Sequence, residues 1–432
     1  MSYSKSDLIK VVIAASFGSI MEWFDYFIAA TAAALVFPKV FFTSFPPEVS
    51  LALSIASFGI AYIIRPIGGI IFGQIGDKLG RKSTLVSTLI MIGGGTLALG
   101  LLPPYSSIGF IAVILVFVFR LIVGLGIGGE FGGANSWVIE FASNSKWRSF
   151  ITSWIQSSAN LGVVFGSIIF NLVEGLPQEE FLNWGWRVIF IFGSIAVAIG
   201  AIIRYKLSES PLFRDLINRK EIAGNPAIEA LKKFGKSIIL LSVIEAVPPI
   251  LSSGLITPYS ILFLTSHNIS PMIATDAVAI GSIFAALGSV FGGYLGDKIG
   301  RKKTLIIGLI LTMIAIIPFF QLLGTSIIPI IFLAQILLGF TNGISYGVEG
   351  AVFTEVYPTK YRYSASGITY QLGAFEAGML STFLISTLVA YSGGVTRAWP
   401  YNTAIALAVT FLALFSSIFT VKETKDEKLL LS

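Results

Sequence analysis

Two carboxylates, Glu22 and Asp25, stand in a stretch that is otherwise almost wholly apolar, residues 10–37. Three positions apart, they share one helix face about 60° wide. A carboxylate in an apolar surrounding is costly, and at such a place it is a candidate for carrying a proton. Arg120, inside the apolar stretch 108–138, is the natural partner. Protonation of Asp25 would release Arg120. The plainer alternative is a permanent ion pair that only ties two helices together. Asp25 is the first candidate carrier and Glu22 the second. Arg65 and Glu130 also lie inside apolar stretches. Arg65 precedes Pro66, so it could serve the backbone carbonyls that a proline-distorted helix leaves free.

The second half of the chain carries Glu245, Glu349 and Glu376 in apolar stretches that hold no Lys or Arg. Such acids must face water, stay protonated or meet a cationic group. This excess of acid argues mildly against a multiply charged anion as ligand. Gln156 and Asn160, four apart, share a helix face, and Tyr370 is followed by Gln371. With Tyr259 and Tyr346 these side chains could line a polar cavity; their other use in lipid is to bond helix to helix.

The elements that hold these residues are membrane spans. Of 432 residues 55% are hydrophobic and 12% charged, about half the charge of a soluble domain, and the mean hydropathy is +0.85. Apolar runs near the ~20 residues that cross a bilayer recur along the chain. They predict twelve spans: 10–37, 51–75, 84–103, 108–138, 149–173, 185–206, 237–264, 275–297, 304–324, 327–355, 364–391 and 400–421. The first is too long for a cleaved signal and lacks a small-residue cleavage site. Of the 29 Lys and Arg, only Lys39, Arg187 and Arg397 fall in one set of loops, and Arg65 and Arg120 within spans; the rest lie in the termini and the other set. This asymmetry predicts both termini in the cytoplasm. It also accounts for a pI of 9.3 without a nucleic-acid partner. There is no Cys, and the single His267 cannot build a histidine metal cluster or, in an outer loop, a serine triad. GLGIGG lacks the GxxxxGK[ST] pattern and its strand–helix setting, so nucleotide binding has no support. No enzyme is expected.

Residues 73–85, GQIGDKLGRKSTL, recur as 293–305, GYLGDKIGRKKTL, an offset of 220. Span 4 and span 10 also align: Gly124, Gly128, Gly132 and Glu140 meet Gly339, Gly343, Gly347 and Glu355, while Arg120 meets Gln335. The chain therefore reads as two copies of one unit, 1–206 and 237–432, joined by a cytoplasmic linker at 207–236 with a short surface helix. Glycines every fourth residue allow close helix approach.

These turns resemble the loop motif of the major facilitator superfamily. MEWFDYF (21–27), RPIGG (65–69), GGEFGGA (128–134), LSESPLF (207–213) and YPTKYRYSASG (357–367) resemble its metabolite:proton symporter family, and the likeness covers nearly the whole chain. The resemblance implies an all-α fold of twelve transmembrane helices in two pseudosymmetric six-helix bundles. It implies that Asp25 and Arg120 correspond to the proton-coupling pair of related sugar:proton symporters, and that Gln156, eight residues after Arg148, stands where sugar porters keep a substrate-binding Gln. It further implies that Asp77, Arg81, Glu140 and Arg148, with Asp297, Arg301, Glu355 and Arg362, form an inter-half charge network that shuts the cytoplasmic side. Glu349 and Glu376 depart from the family pattern.

The expected protein is a monomeric, multi-pass transporter of the plasma membrane. It would import a small polar organic solute with protons by alternating access and need no cofactor. The resemblance favours an organic acid; a sugar or a betaine-type zwitterion stands nearly level. Proton-coupled export of cationic compounds, with Glu349 and Glu376 as ligands, and a non-transporting membrane sensor are the other readings.

Overall fold

The structure is a computed structural model that describes residues 4–252, 259–379, 381, 384–429 and 431. The described residues form helices and loops, and eleven of the helices are long and apolar enough to cross a membrane. In chain order these eleven are built on α1 (Lys5–Leu35), α2 (Pro47–Leu79), α3 (Arg81–Leu101), α4 (Phe110–Phe141), α5 (Arg148–Glu174), α6 (Trp186–Tyr205), α7 (Pro226–Glu245), α8 (Pro271–Ile299), α9 (Arg301–Gly324), α10 (Ile328–Glu355) and α12 (Val395–Thr420), and a twelfth, less apolar helix, α11 (Arg362–Met379), lies between α10 and α12. Helix α11 is followed by a shorter helix, Ile385–Ser392.

Local chemistry sets the ends. Ser4 opens α1 through a capping box: its hydroxyl accepts from the Asp7 N–H at 3.1 Å, and Asp7 accepts from the Ser4 N–H. A single residue separates α2 from α3 and α8 from α9. These are Gly80 (φ 116°) and Gly300 (φ 108°), a backbone region that side chains rarely adopt. The duplicated turn is therefore a one-residue hinge built on glycine.

The two halves repeat one packing pattern. Helix α4 lies against α2 and α3 as α10 lies against α8 and α9, and α1 packs on α5 as α7 packs on α11. This is the twelve-helix, two-bundle arrangement that the sequence implied. The halves meet along two seams, α5 on α8 and α2 on α11. The glycine rows explain how close the helices come. A Cβ on Gly128 would lie 2.7 Å from the Gly68 Cα of α2; one on Gly132 would lie 2.7 Å from the Gly367 Cα of α11, across the seam. In the second half, Gly339, Gly343 and Gly347 press on α8 backbone at Gly281, Ala285 and Ser289. Dispersion contacts between backbones replace the hydrophobic drive that lipid removes.

Two segments differ from the expected spans. Helix α7 begins at Pro226, so part of the 207–236 stretch continues straight into the span, while Pro211–Arg219 forms the short surface helix. The span expected over 237–264 is not one helix. Regular α7 ends at Glu245, and Pro248 and Pro249 follow in a three-residue helical segment, Val247–Pro249, that carries the distorted span on to Ser252. Proline lacks the N–H that would bond back along the helix. Residues 253–258 of that span, and 380, 382 and 383 of the span expected over 364–391, lie outside the described residues.

Candidate functional site: a cavity over a closed charge network

One end of the molecule carries both repeated turns, and it is shut. Arg81 pairs with Asp77 at 3.0 Å and with Glu140 at 3.2 Å, and donates to the Thr359 carbonyl at 2.6 Å. Arg362, from the other half, pairs with the same Glu140 at 3.0 Å. The second set mirrors the first: Arg301 pairs with Asp297 at 3.0 Å and Glu355 at 3.1 Å, and Arg148, from the first half, reaches Glu355 at 2.7 Å. Each motif Asp also caps a helix across the seam. Asp77 accepts from the Tyr363 and Ser364 N–H groups at the start of α11, and Asp297 from Ser149 and Phe150 at the start of α5. A carboxylate at a helix N-terminus satisfies free N–H groups and complements the helix dipole.

Sequence reading did not find the third layer of this network. Glu209 accepts from the Arg81 and Lys82 N–H groups, and the Ser210 hydroxyl donates to Glu140. Near the other end of the chain, Glu423 accepts from Arg301 and Lys302, and Thr424 donates to Glu355. Burial pushes the Glu209 carboxyl up from its ordinary value, against the N–H bonds that it accepts. The available signal was SES at 208–210 against KET at 422–424, an offset of 214 that continues the internal repeat. Arg148 also donates to the Thr424 and Glu427 carbonyls, at 2.9 and 2.8 Å, so the last segment straps this end. The N-terminal Ser4 and Lys5 line a groove with Asn144 and Ser145 at the same end.

Farther in, three buried ion pairs organise the first half. Asp25 meets Arg120 at 3.2 Å and accepts from the Thr96 hydroxyl, joining α1, α4 and α3. Glu22 does not share Arg120; it meets Arg65 at 3.2 Å. Arg65 in turn donates from Nε to the Gln371 side chain at 2.7 Å, and Gln371 donates to the Ile127 carbonyl at 3.1 Å. Arg65 thus pairs in charge with Glu22 within its half and hydrogen-bonds a neutral amide across the seam, and its acceptors among the described residues are these two side chains rather than backbone carbonyls near Pro66. Glu130 pairs with Arg204, whose guanidinium also bonds the Ala14 and Ala15 carbonyls. Arg204, counted with the Lys and Arg of the loops in the charge asymmetry, is fully buried.

Between the halves lies a cavity. Trp23, Tyr26 and Phe27 of α1 face it, at the i, i+3, i+4 spacing of one helix face, while Glu22 and Asp25 on the adjoining face turn to their arginines. Asn160 comes from α5, Asn342 and Tyr346 from α10, Tyr370 from α11, and Glu245, Pro248, Pro249 and Ser252 from α7 and its broken continuation. The free volume is about 40 Å³, room for roughly three waters. The floor is aromatic: Tyr346 and Tyr370 join hydroxyls at 3.2 Å, and Tyr370 stacks on Phe131 with centroids 3.6 Å apart.

Of the polar residues expected around a solute, Asn160, Tyr346 and Tyr370 line this cavity. Gln156, Tyr259, Glu349, Gln371 and Glu376 are not among its lining residues. Gln156 is buried one turn before Asn160. The Tyr259 hydroxyl donates to the Val395 carbonyl at 2.6 Å, and its ring packs on Phe320. Gln371 serves Arg65, and Glu376 accepts from Ser242 at 3.2 Å, bonding α11 to α7. Trp23, Tyr26, Glu245 and Asn342 were missed as lining residues. The proline pair at 248–249 was the readable sign that α7 breaks beside a binding site.

A twelve-helix membrane fold of two repeated halves with a cavity between them is the architecture of a membrane transporter. Residues 11–237 match the profile described as sugar (and other) transporter, and residues 250–431 that of the major facilitator superfamily. The chain is 35% identical to the inner membrane metabolite transport protein YhjE of Escherichia coli K12, covering 94% of this chain and 93% of that one. It is 31% identical to the shikimate transporter of the same organism, over 87% of each chain. It is 30% identical to its proline/betaine transporter, over 98% of this chain and 85% of the other. Among solved structures, the proton:xylose symporter XylE bound to 6-bromo-6-deoxy-D-glucose superposes with a TM-score of 0.76 over 99% of this chain and 98% of that chain, at 18% identity. The chain belongs to the major facilitator superfamily, with the metabolite transporters that its motifs resemble. It is a multi-pass membrane protein and a transporter, not an enzyme.

Proposed function

We propose that this protein is a monomeric proton-coupled symporter of the plasma membrane that imports a small polar organic solute by alternating access. The observation that carries the reading is the Asp25–Arg120 pair. Both side chains are almost fully buried, at 2% and 1% exposure, and they link α1, which walls the cavity, to α4, which bears on the closed end. A buried ion pair broken by protonation leaves its partner charge unpaired, at about 3–5 kcal/mol. That is enough to change which closed state is favoured. Residues 1–206 and 237–432 are the rocking halves, joined by 207–236. The closed end carries most of the Lys and Arg of the loops, so it is the cytoplasmic end, with both termini there. The network of Asp77, Arg81, Glu140, Arg148, Asp297, Arg301, Glu355 and Arg362 is its gate, and no cofactor besides the proton is needed.

The lining chemistry supports a zwitterion over a multiply charged acid. Aromatic faces and the Glu245 carboxyl suit a cationic head group, and no Lys or Arg is among the lining residues. Asn160, Asn342 and Ser252 suit the polar remainder. Two relatives are named for a carboxylic acid and for proline and betaine, so both solute types belong in the test. The same lining would suit a cationic compound exported against protons. Proteoliposomes with an inward proton gradient, offered carboxylates, sugars, glycine betaine and amino acids, should accumulate one class. Accumulation of none, with dye extrusion instead, would overturn import.

A further inference from the structure

The second half has no counterpart of the Asp25–Arg120 pair, because Gln335 stands where Arg120 does in the repeat and bonds to Ser260 at 3.1 Å. It holds a different arrangement. Glu245, at the last turn of α7, and Glu349, on α10, bring their carboxyl groups together. Both are at 0% exposure, and none of their four oxygens has a hydrogen-bond partner among the described residues. No salt bridge to either glutamate is formed among the described residues.

Hydrogen-bond accounting makes this unusual. Buried acceptors are nearly always matched by donors, and an unmatched one costs about 1–3 kcal/mol. Asn342, on α10 and also in the cavity wall, adds a fifth orphan: its Oδ1 has no partner, and the residue is 6% exposed. The groups that face the glutamates are Tyr346 on α10, Tyr370 on α11 and, across the seam, Arg65 on α2, with Glu22 of α1 behind it. One tyrosine hydroxyl donates to the other, which leaves a single O–H, that of Tyr370, to face Glu245, while Arg65 is engaged with Glu22 and Gln371. Glu376 turns instead to Ser242. Two adjoining carboxylates without a bonded cation cannot both hold charge in such a place; a proton between them supplies the missing donor and removes the repulsion.

We propose that Glu245 and Glu349 form a proton-sharing pair that opens onto the solute cavity, a second protonation site in the half opposite to Asp25. Glu245 lines the cavity and gives the pair access to water, while Glu349 lies behind it. Arg65, the nearest cation, belongs to the other half, so rocking the halves apart moves it away from the pair. The proton affinity of the pair then differs between the two states, which is what coupling requires. The cycle would carry a proton here as well as on Asp25.

The test needs no solute, so its failure is separable from failure of the symport reading. Infrared difference spectra of the full chain in lipid nanodiscs are recorded on stepping the pH from about 5 to about 9, a range that spans perturbed buried carboxyls. The protonated-carboxyl stretch should disappear in two separated steps in the wild type, in a single displaced step in Glu245→Gln and in Glu349→Gln, and not at these sites in the double variant. Glu349→Asp, which keeps the acid, should shift the band rather than remove a step, which guards against a folding defect. Glu376→Gln should keep both steps. A spectrum unchanged in the double variant overturns the proposal. Single variants that each remove one step and leave the other undisplaced overturn proton sharing.

Discussion

Glu140→Gln tests whether the charge network holds the closed end. Glu140 receives Arg81, Arg362 and the Ser210 hydroxyl, and only Arg362 comes from the other half. Opening must therefore break the 3.0 Å contact with Arg362. The amide keeps the shape but replaces an ion pair by a bond from the guanidinium to a neutral oxygen, a loss of about 1–2 kcal/mol. The closed state loses about 1–2 kcal/mol, which raises the open population about five- to thirty-fold. The chain has no Cys, so one introduced thiol reports alone. Ser364 suits this: it is fully buried at the seam, against Gly73. In Ser364→Cys, maleimide labelling is slow and proportional to transient opening when opening is fast relative to reaction. Adding Glu140→Gln should speed labelling about five- to thirty-fold, in line with that shift in population. A change below about two-fold, under the few tenths of a kcal/mol expected of an ordinary surface substitution, would refute the gate argument.

Other consequences follow from the same contacts. Gly132→Ala puts a Cβ 2.7 Å from the Gly367 Cα and the Tyr363 carbonyl, backbone atoms that cannot swing aside. It should cost about 1–3 kcal/mol, read as a lower unfolding temperature and as faster labelling of the Ser364→Cys reporter. Arg204→Met strands the Glu130 carboxylate and should destabilise the protein by about 3–5 kcal/mol in thermal unfolding, whereas the double change Glu130→Leu with Arg204→Met should recover most of that loss. Gln371→Leu removes the acceptor of Arg65 and the donor to Ile127 but leaves the Glu22–Arg65 pair. It should weaken the seam by about 1.5–3 kcal/mol, the worth of a charged hydrogen bond, and raise the same labelling rate.

What the sequence made legible was whatever the repeat or the membrane enforces locally. The duplicated GDxxGRK turns located the network because Asp and Arg four apart must meet on a helix, and Gly80 and Gly300 marked the turns between helices. Asp25 and Arg120 could be paired because each is a costly charge in an apolar span. Partnerships set by tertiary approach were not legible in this way. Glu22 took Arg65 because α2 approaches α1 on that side. Arg204 stands next to the exposed end of α6, at Tyr205, and only the packing of α6 on α1 and α3 turns its side chain inward to Glu130. Gln371 and Tyr370 are consecutive, so they diverge by about 100° around α11, one toward Arg65 and the other toward the cavity. The approach of Glu245 to Glu349 had no sequence signal beyond two acids in cation-free spans. The helix break that sets Glu245 at the cavity wall was written in Pro248 and Pro249.

The most direct measurement of the central claim compares Asp25→Asn with the wild type in proteoliposomes, using a solute that the wild type accumulates. Counterflow and gradient-driven uptake are recorded together. If Asp25 carries the coupling proton, the variant should exchange solute in counterflow and fail to accumulate it from an inward proton gradient. Accumulation equal to wild type in Asp25→Asn would contradict the account and move the proton to another carboxyl.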